Sequence, residues 1–202
     1  MCDIPINLVY EDELSGAVLS HLLSLTGRYT IGTPYRSGGF GWIKNRINGL
    51  NRAAQGMAWL VLTDLDRREC VPALIEEWFD GPLHSNMIFR VAVQEVEAWI
   101  LGSREEFAGF AGISIDHIPQ DVDSISDPKE LLMDLIRRCR RRELKNDILP
   151  KAGSTAKVGP DYNGQLVHFV DNYWDPLKAQ INSNSLERAI RVLNDFVPVF
   201  ND

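Results

Sequence analysis

The sequence predicts an α/β fold: a mainly parallel central sheet with helices on both faces, followed by a helical C-terminal extension. Three observations predict it. Short, β-prone apolar runs alternate with segments of helical apolar spacing as far as Phe110, the pattern of strand–helix–strand units. Beyond that point the patterning is helical, separated by polar loops. The 202 residues, 45% of them hydrophobic, suffice for a core without disulfide or metal staples. The expected division is residues 1–112 as an α/β core and residues 113–202 as a mainly helical extension packed on it.

Ile4–Tyr10 reads as the first strand. Leu14, Val18, Leu22 and Leu25 follow at helical spacing, and Gly27 is a helix stop. Tyr29–Ile31 is short and β-prone, and Gly32–Gly41, with Pro34, reads as a glycine-rich loop. The next segment, Trp42–Ala54, reads as a helix with Trp42, Ile43, Ile47 and Leu50 inward. Met57–Leu62 is an uncharged apolar run, hence a buried strand. Cys70–Phe79 is a helix ended by Gly81-Pro82, and Met87–Val93 is the last strand. Val96–Phe110 is helical with a break expected at Gly102-Ser103.

The C-terminal part begins with a polar surface loop, Ile113–Asp127. Pro128 opens a helix through Leu144, with Asp127 as its cap. Lys151–Gly164 reads as a loop, and Leu166–Ile181 is mixed and aromatic. Ser185–Phe196 is an amphipathic helix with Leu186, Ile190, Leu193 and Phe196 on one side.

Composition narrows the function classes. Cys2, Cys70 and Cys139 are odd in number and far apart, as expected of reduced thiols in a cytoplasmic protein. The N-terminal residues lack the basic and apolar regions of a signal peptide, and no run is long enough to cross a bilayer, so no membrane association is expected. The net charge of −7 opposes bulk attraction to nucleic acid but leaves room for a local basic surface.

Candidate chemistry begins at the strand ends. Met57–Leu62 runs into Thr63-Asp64-Leu65-Asp66, two carboxylates at alternate positions of an extended segment, which point the same way. Crowded like charges call for a partner such as Mg²⁺. The plainer reading of Asp66 is a cap on a helix beginning near Arg68. The first strand also ends in acid, Glu11-Asp12-Glu13, and the last is followed by Gln94-Glu95-Val96-Glu97. Carboxylates after three strands would share one sheet edge, the edge where open α/β sheets bind ligands. If both were helical, Glu95 and Glu97 would stand about 200° apart; if the strand continued they would share a face.

Strand–Glu11, strand–Asp64-x-Asp66 and Gln94-Glu95-Val96-Glu97-Ala98-Trp99 together resemble the Toprim domain of topoisomerases, primases and OLD-type nucleases, over roughly residues 4–110. The last phrase is similar to one in small Toprim-like bacterial proteins, some of them found beside ATPases in phage-defence systems. The resemblance implies metal binding by Asp64, Asp66, Glu95 and Glu97, and ligation or proton transfer by Glu11. The family pattern often has Gly after its first-strand Glu and a second acid further on. Here Asp12 takes the place of that Gly and Ser15 stands near the expected acid, which leaves Glu13 as a substitute.

Basic residues supply the other half of the expectation. Arg137, Arg138, Arg140, Arg141 and Arg142 form the densest positive run and, with Lys145, could follow a phosphate backbone; they equally suit a helix C-terminus. Lys157, in a loop without P-loop spacing, is a candidate to neutralise a phosphate during catalysis. The expected function is therefore a Mg²⁺- or Mn²⁺-dependent nuclease acting on DNA or RNA, with a role in phage defence as the resemblance implies. The alternatives are a non-catalytic partner that binds an ATPase or a nucleic acid, and a phosphatase acting on a nucleotide or small ester.

Overall fold

The computed structural model describes residues 3–65 and 70–199 of the chain. These residues belong to two compact units: Met1–Ala92 with Arg188–Asp202, and Val93–Glu187.

Unit one holds a four-stranded, all-parallel sheet of order β2-β1-β3-β4, where β1 is Ile4–Tyr10, β2 Tyr29–Arg36, β3 Ala58–Asp64 and β4 Met87–Ala92. Between them run α1 (Glu13–Thr26), α2 (Phe40–Ala53) and α3 (Val71–Trp78). Right-handed crossovers applied to this strand order put α1 on one face and α2 and α3 on the other. Burial agrees: β3 is buried from Ala58 to Thr63, as a strand covered on both faces must be. Phe89 of β4 packs edge-on against Trp78 and Phe79 at the end of α3. Asn48 of α2 donates to the Trp78 carbonyl, tying α2 to α3.

The first strands and helices lie where the apolar patterning puts them, with one extension. β2 continues through Gly32 and Pro34 to Arg36, where the sequence predicts a loop. The Asn7 carboxamide explains it. Its Oδ1 accepts the Thr33 N–H at 2.8 Å, bridging a shift in register between β1 and β2. A Cβ at position 32 would collide with that oxygen, so glycine lets the strand pass. Pro34 is tolerated because β2 is an edge strand.

Unit two is helical. It contains α4 (Val96–Leu101), α5 (Arg104–Ala111), two single 3₁₀ turns at Ile115–His117 and Val122–Ser124, α6 (Pro128–Arg138), α7 (Arg142–Ile148), α8 (Tyr162–Asn172) and α9 (Pro176–Asn182). The helix α10 (Asn184–Asp195) follows, and its residues from Arg188 onward belong to unit one. The predicted break at Gly102-Ser103 is present. A Cβ on Gly102 would lie 2.8 Å from the Ala179 carbonyl oxygen, so that close approach requires glycine. Asp127 caps α6 through the Glu130 N–H, as expected.

One expectation for unit two needs correction, and two stretches gain detail. The helix from Pro128 ends at Arg138, not Leu144. There the buried Cys139 turns out of the helix, its sulfur accepting the Arg141 N–H, while the Arg141 guanidinium donates to the Phe110 carbonyl. The polar stretch Ile113–Asp127 is pinned by two 3₁₀ turns, with Ile118 and Val122 buried. Leu166–Ile181 resolves into α8 and α9: Leu166, Phe169 and Val170 turn one face of α8 into the core, and Asp175 caps α9 with Pro176 at its first position.

Candidate functional site

In unit one, the parallel register sets β1 against β3, with Val9 opposite Val61. Two residues further on, Glu11 lies beside Thr63. The Thr63 hydroxyl donates to Glu11 Oε1 at 2.6 Å, and the Asp64 N–H donates to the same oxygen at 3.2 Å. Thr63 is 1% exposed, so its hydroxyl is a fixed donor that orients the Glu11 carboxylate. The pairing of β3 and β4 continues one step past the strand, through the Leu65 N–H to the Ala92 carbonyl at 2.9 Å. Asp64 is thereby held rigidly at the end of its strand.

Strand order adds meaning to this position. The chain leaves β1 toward β2 on one side and leaves β3 toward β4 on the other. The crevice between the carboxyl ends of β1 and β3 is thus a topological switch point, where open α/β sheets bind ligands. Glu11 and Asp64 both stand there. The loop from β2 to α2 borders the same place. Ser37 N–H donates to the Tyr10 carbonyl at 2.8 Å and Gly38 N–H to the Glu11 carbonyl at 3.0 Å. Gly38 and Gly39 carry φ of 72° and 138°, which only glycine adopts readily.

The residues after Glu11 have local tasks. Asp12, which stands at the Gly of the family pattern, caps α1: its Oδ1 accepts both the Ser15 N–H and the Ser15 hydroxyl at 2.9 Å. The Asp12–Ser15 departure from that pattern is therefore a capping pair. Glu13 forms a surface ion pair with Arg36 at 2.5 Å. Asp66 lies outside the described residues.

Glu95 and Glu97 belong to unit two and meet a different environment. Glu95 is the N-cap residue of α4 in extended conformation, and Glu97 lies in the helix's first turn. Glu97 is buried, accepts the Tyr162 hydroxyl at 2.8 Å, and pairs with the Lys129 ammonium at 3.2 Å. Lys129 also lies over the Tyr162 ring, and its backbone N–H donates to Glu95 Oε2 at 2.9 Å. Burial, then the neighbouring Glu97 charge, pushes the Glu95 carboxyl above the usual range; the Lys129 N–H and charge pull the other way. Gln94, just before them, has φ of 64°, the one left-handed non-glycine among the described residues.

The basic residues of unit two divide by role. Arg137 pairs with Glu130 at 2.8 Å and with Asp134 on its own helix. Arg141 is committed to the Phe110 carbonyl and ring. Arg138, Arg140 and Arg142 form no ion pair among the described residues. Lys157 lies exposed in the loop before α8. An open depression of about 620 Å³ between the end of α7 and that loop is lined by Lys145, Asp147, Lys151 and Pro160, among others.

Sequence reasoning missed Thr63, Lys129 and Tyr162. Thr63 was within reach, since a hydroxyl beside an acidic strand end is a natural orienting donor. Tyr162 lies 65 residues from Glu97, and nothing local links the two. Among the described residues, no three His, Cys, Asp or Glu side chains are grouped so as to hold a metal ion. No helix among them is long and apolar enough to cross a membrane. No family model matches the chain, and no curated protein or solved structure matches it either.

Proposed function

We propose that this protein is a divalent-metal-dependent phosphodiesterase, most concretely a nuclease, centred on Glu11 and Asp64. The observation that carries the reading is that Glu11 and Asp64 both stand at strand ends beside the switch point, with one Glu11 oxygen accepting the Thr63 hydroxyl and the Asp64 backbone N–H. The order strand–Glu and strand–Asp-x-Asp resembles Toprim and supports it from the sequence side. Asp66 enters on sequence alone.

The donor set suits the ion. Mg²⁺ takes hard oxygen ligands, keeps several waters, and needs only one or two protein carboxylates when substrate phosphates complete its shell. Asp64 and Glu11 are such carboxylates, and Mn²⁺ accepts the same donors. When bound, the ion would supply charge stabilisation at the phosphate and a water of lowered pKa. The chain's own contribution is orientation. Thr63 fixes one Glu11 oxygen, so the carboxylate presents a constant geometry either to a cation or to a proton on an attacking water. Arg138, Arg140, Arg142 and Lys157 are the expected phosphate contacts of unit two.

The test is cleavage of labelled DNA and RNA with and without Mg²⁺ or Mn²⁺. Activity undiminished in Asp64→Ala plus Asp66→Ala would sink the assignment. The commitment of Glu97 to the Lys129 ammonium and the Tyr162 hydroxyl favours a second reading, a non-catalytic module that binds an ATPase or a nucleic acid. Strand binding with no cleavage under either metal would support it.

A further inference from the structure

The charge along the chain is uneven in a way that names a substrate. The protein carries 28 acidic against 21 basic residues, yet no Asp or Glu occurs from Leu14 to Thr63. That stretch contains β2, the glycine loop and α2, the elements bordering Glu11 on one side. Its basic residues include Arg36, Lys44, Arg46 and Arg52. Arg36 and Lys44 reach out to Glu13 and Glu77 in exposed pairs. Arg46 and Arg52 are exposed and pair with no carboxylate among the described residues.

Aromatic rings are interleaved with these charges. Tyr35 and Phe40 are 39% and 42% exposed although each is large and apolar. Tyr35 lies stacked on Trp59 of β3, which holds its ring in a fixed plane. Trp42 carries the Arg46 guanidinium over its ring at 4.4 Å. On α2, Arg46 and Arg52 are exposed and Trp42 is half-buried, while Ile43 and Ile47 are buried.

Rings in fixed planes interleaved with guanidinium groups suit one ligand chemistry, a flexible polyanion with flat apolar groups. We propose that β2, the Ser37–Gly39 loop and the exposed side of α2 form a binding track for single-stranded nucleic acid leading to Glu11 and Asp64. Bases stack on Phe40 and on the Trp42–Arg46 layer, while Arg46 and Arg52 contact phosphates. A duplex hides its base faces and would gain only the charge contacts. In a protein of net charge −7, a stretch of chain that contributes no acids is where a polyanion meets less repulsion. The fate of the strand at Glu11 rests on the nuclease reading; its binding does not.

The test is fluorescence anisotropy of a labelled thymidine oligonucleotide with the full chain, in EDTA, over a range of salt. Arg46→Glu with Arg52→Glu, both surface changes, is expected to weaken binding roughly tenfold or more and to flatten its salt dependence. Phe40→Ala is expected to weaken it roughly tenfold at every salt concentration, and Phe40→Trp to restore it. The proposal is overturned if the α2 variants bind unchanged, if a duplex of equal length competes equally well, or if charge reversal at Arg138, Arg140 and Arg142 alone abolishes binding. Track-dependent binding without cleavage under any divalent ion would remove the nuclease reading and leave this one standing. Metal-dependent cleavage with unchanged binding in the α2 variants would do the reverse.

Discussion

Replacing Glu97 by alanine tests the buried polar cluster of unit two. The Glu97 side chain is 5% exposed and holds two partners, the Tyr162 hydroxyl and the Lys129 ammonium. A hydrogen bond to a charged acceptor contributes about 1.5–3 kcal/mol, and this one is buried. The ion pair adds less than a fully buried one. Lys129 is 36% exposed, so water screens the pair, and about 1 kcal/mol is the fitting scale. The expected loss is therefore about 3 kcal/mol for Glu97→Ala. Glu97→Gln keeps an oxygen for the Tyr162 hydroxyl and should lose about 1 kcal/mol. Urea denaturation of the full chain measures both, and a Glu97→Gln/Tyr162→Phe cycle isolates the coupling. A Glu97→Ala protein within about 0.5 kcal/mol of the wild type would refute this account of the cluster.

Further outcomes follow from the same geometry. The Glu95 carboxyl titrates above its unfolded range, so the folded state holds its proton more tightly than the unfolded chain does. Its contribution to stability is thus favourable at low pH and fades as pH rises from the unfolded value through the raised one. Glu95→Gln, whose amide oxygen still accepts the Lys129 N–H, should raise the urea midpoint at pH 7, and the gain should vanish near pH 4; a gain equal at both would contradict the cause assigned. Asn86 is fully buried and exchanges two hydrogen bonds with the Val199 backbone, at 2.7 and 2.8 Å. Asn86→Ala should abolish hydrogen-exchange protection of the Val199 amide, whereas protection that survives would mean the tail is held elsewhere. A Cβ at Gly159 would overlap the Asp147 carbonyl, so Gly159→Ala should destabilise by about 1–3 kcal/mol in thermal unfolding. An unchanged midpoint would show that the loop gives way without strain.

Much of unit one was legible in the sequence, for definite reasons. An uncharged run such as Met57–Leu62 has no comfortable place except a buried strand, and β3 is one. Glu11 and Asp64 were legible as strand-end acids because parallel strands bring their carboxyl ends to one edge. The reach of β2 was not. It depends on an Asn7 carboxamide entering the ladder beside Gly32, a contact between residues far apart in the chain. The end of α6 was hidden for a similar reason. Arg137–Arg142 has good helix formers, and the break comes from Cys139 burial and the Arg141–Phe110 contact. Charge-counting also overstated the arginine run, since Arg137 is bound to acids on its own helix and Arg141 to a backbone carbonyl.

Glu11 and Asp64 are proposed to hold a divalent cation. Mn²⁺ titration followed by electron paramagnetic resonance measures that occupancy without any substrate. The account predicts that the wild-type chain quenches the six-line signal of free Mn²⁺ up to a saturable stoichiometry, and that Glu11→Gln with Asp64→Asn loses the quenching while the fold is unchanged by circular dichroism. Equal Mn²⁺ binding by the wild type and the double variant, or none by either, would contradict it.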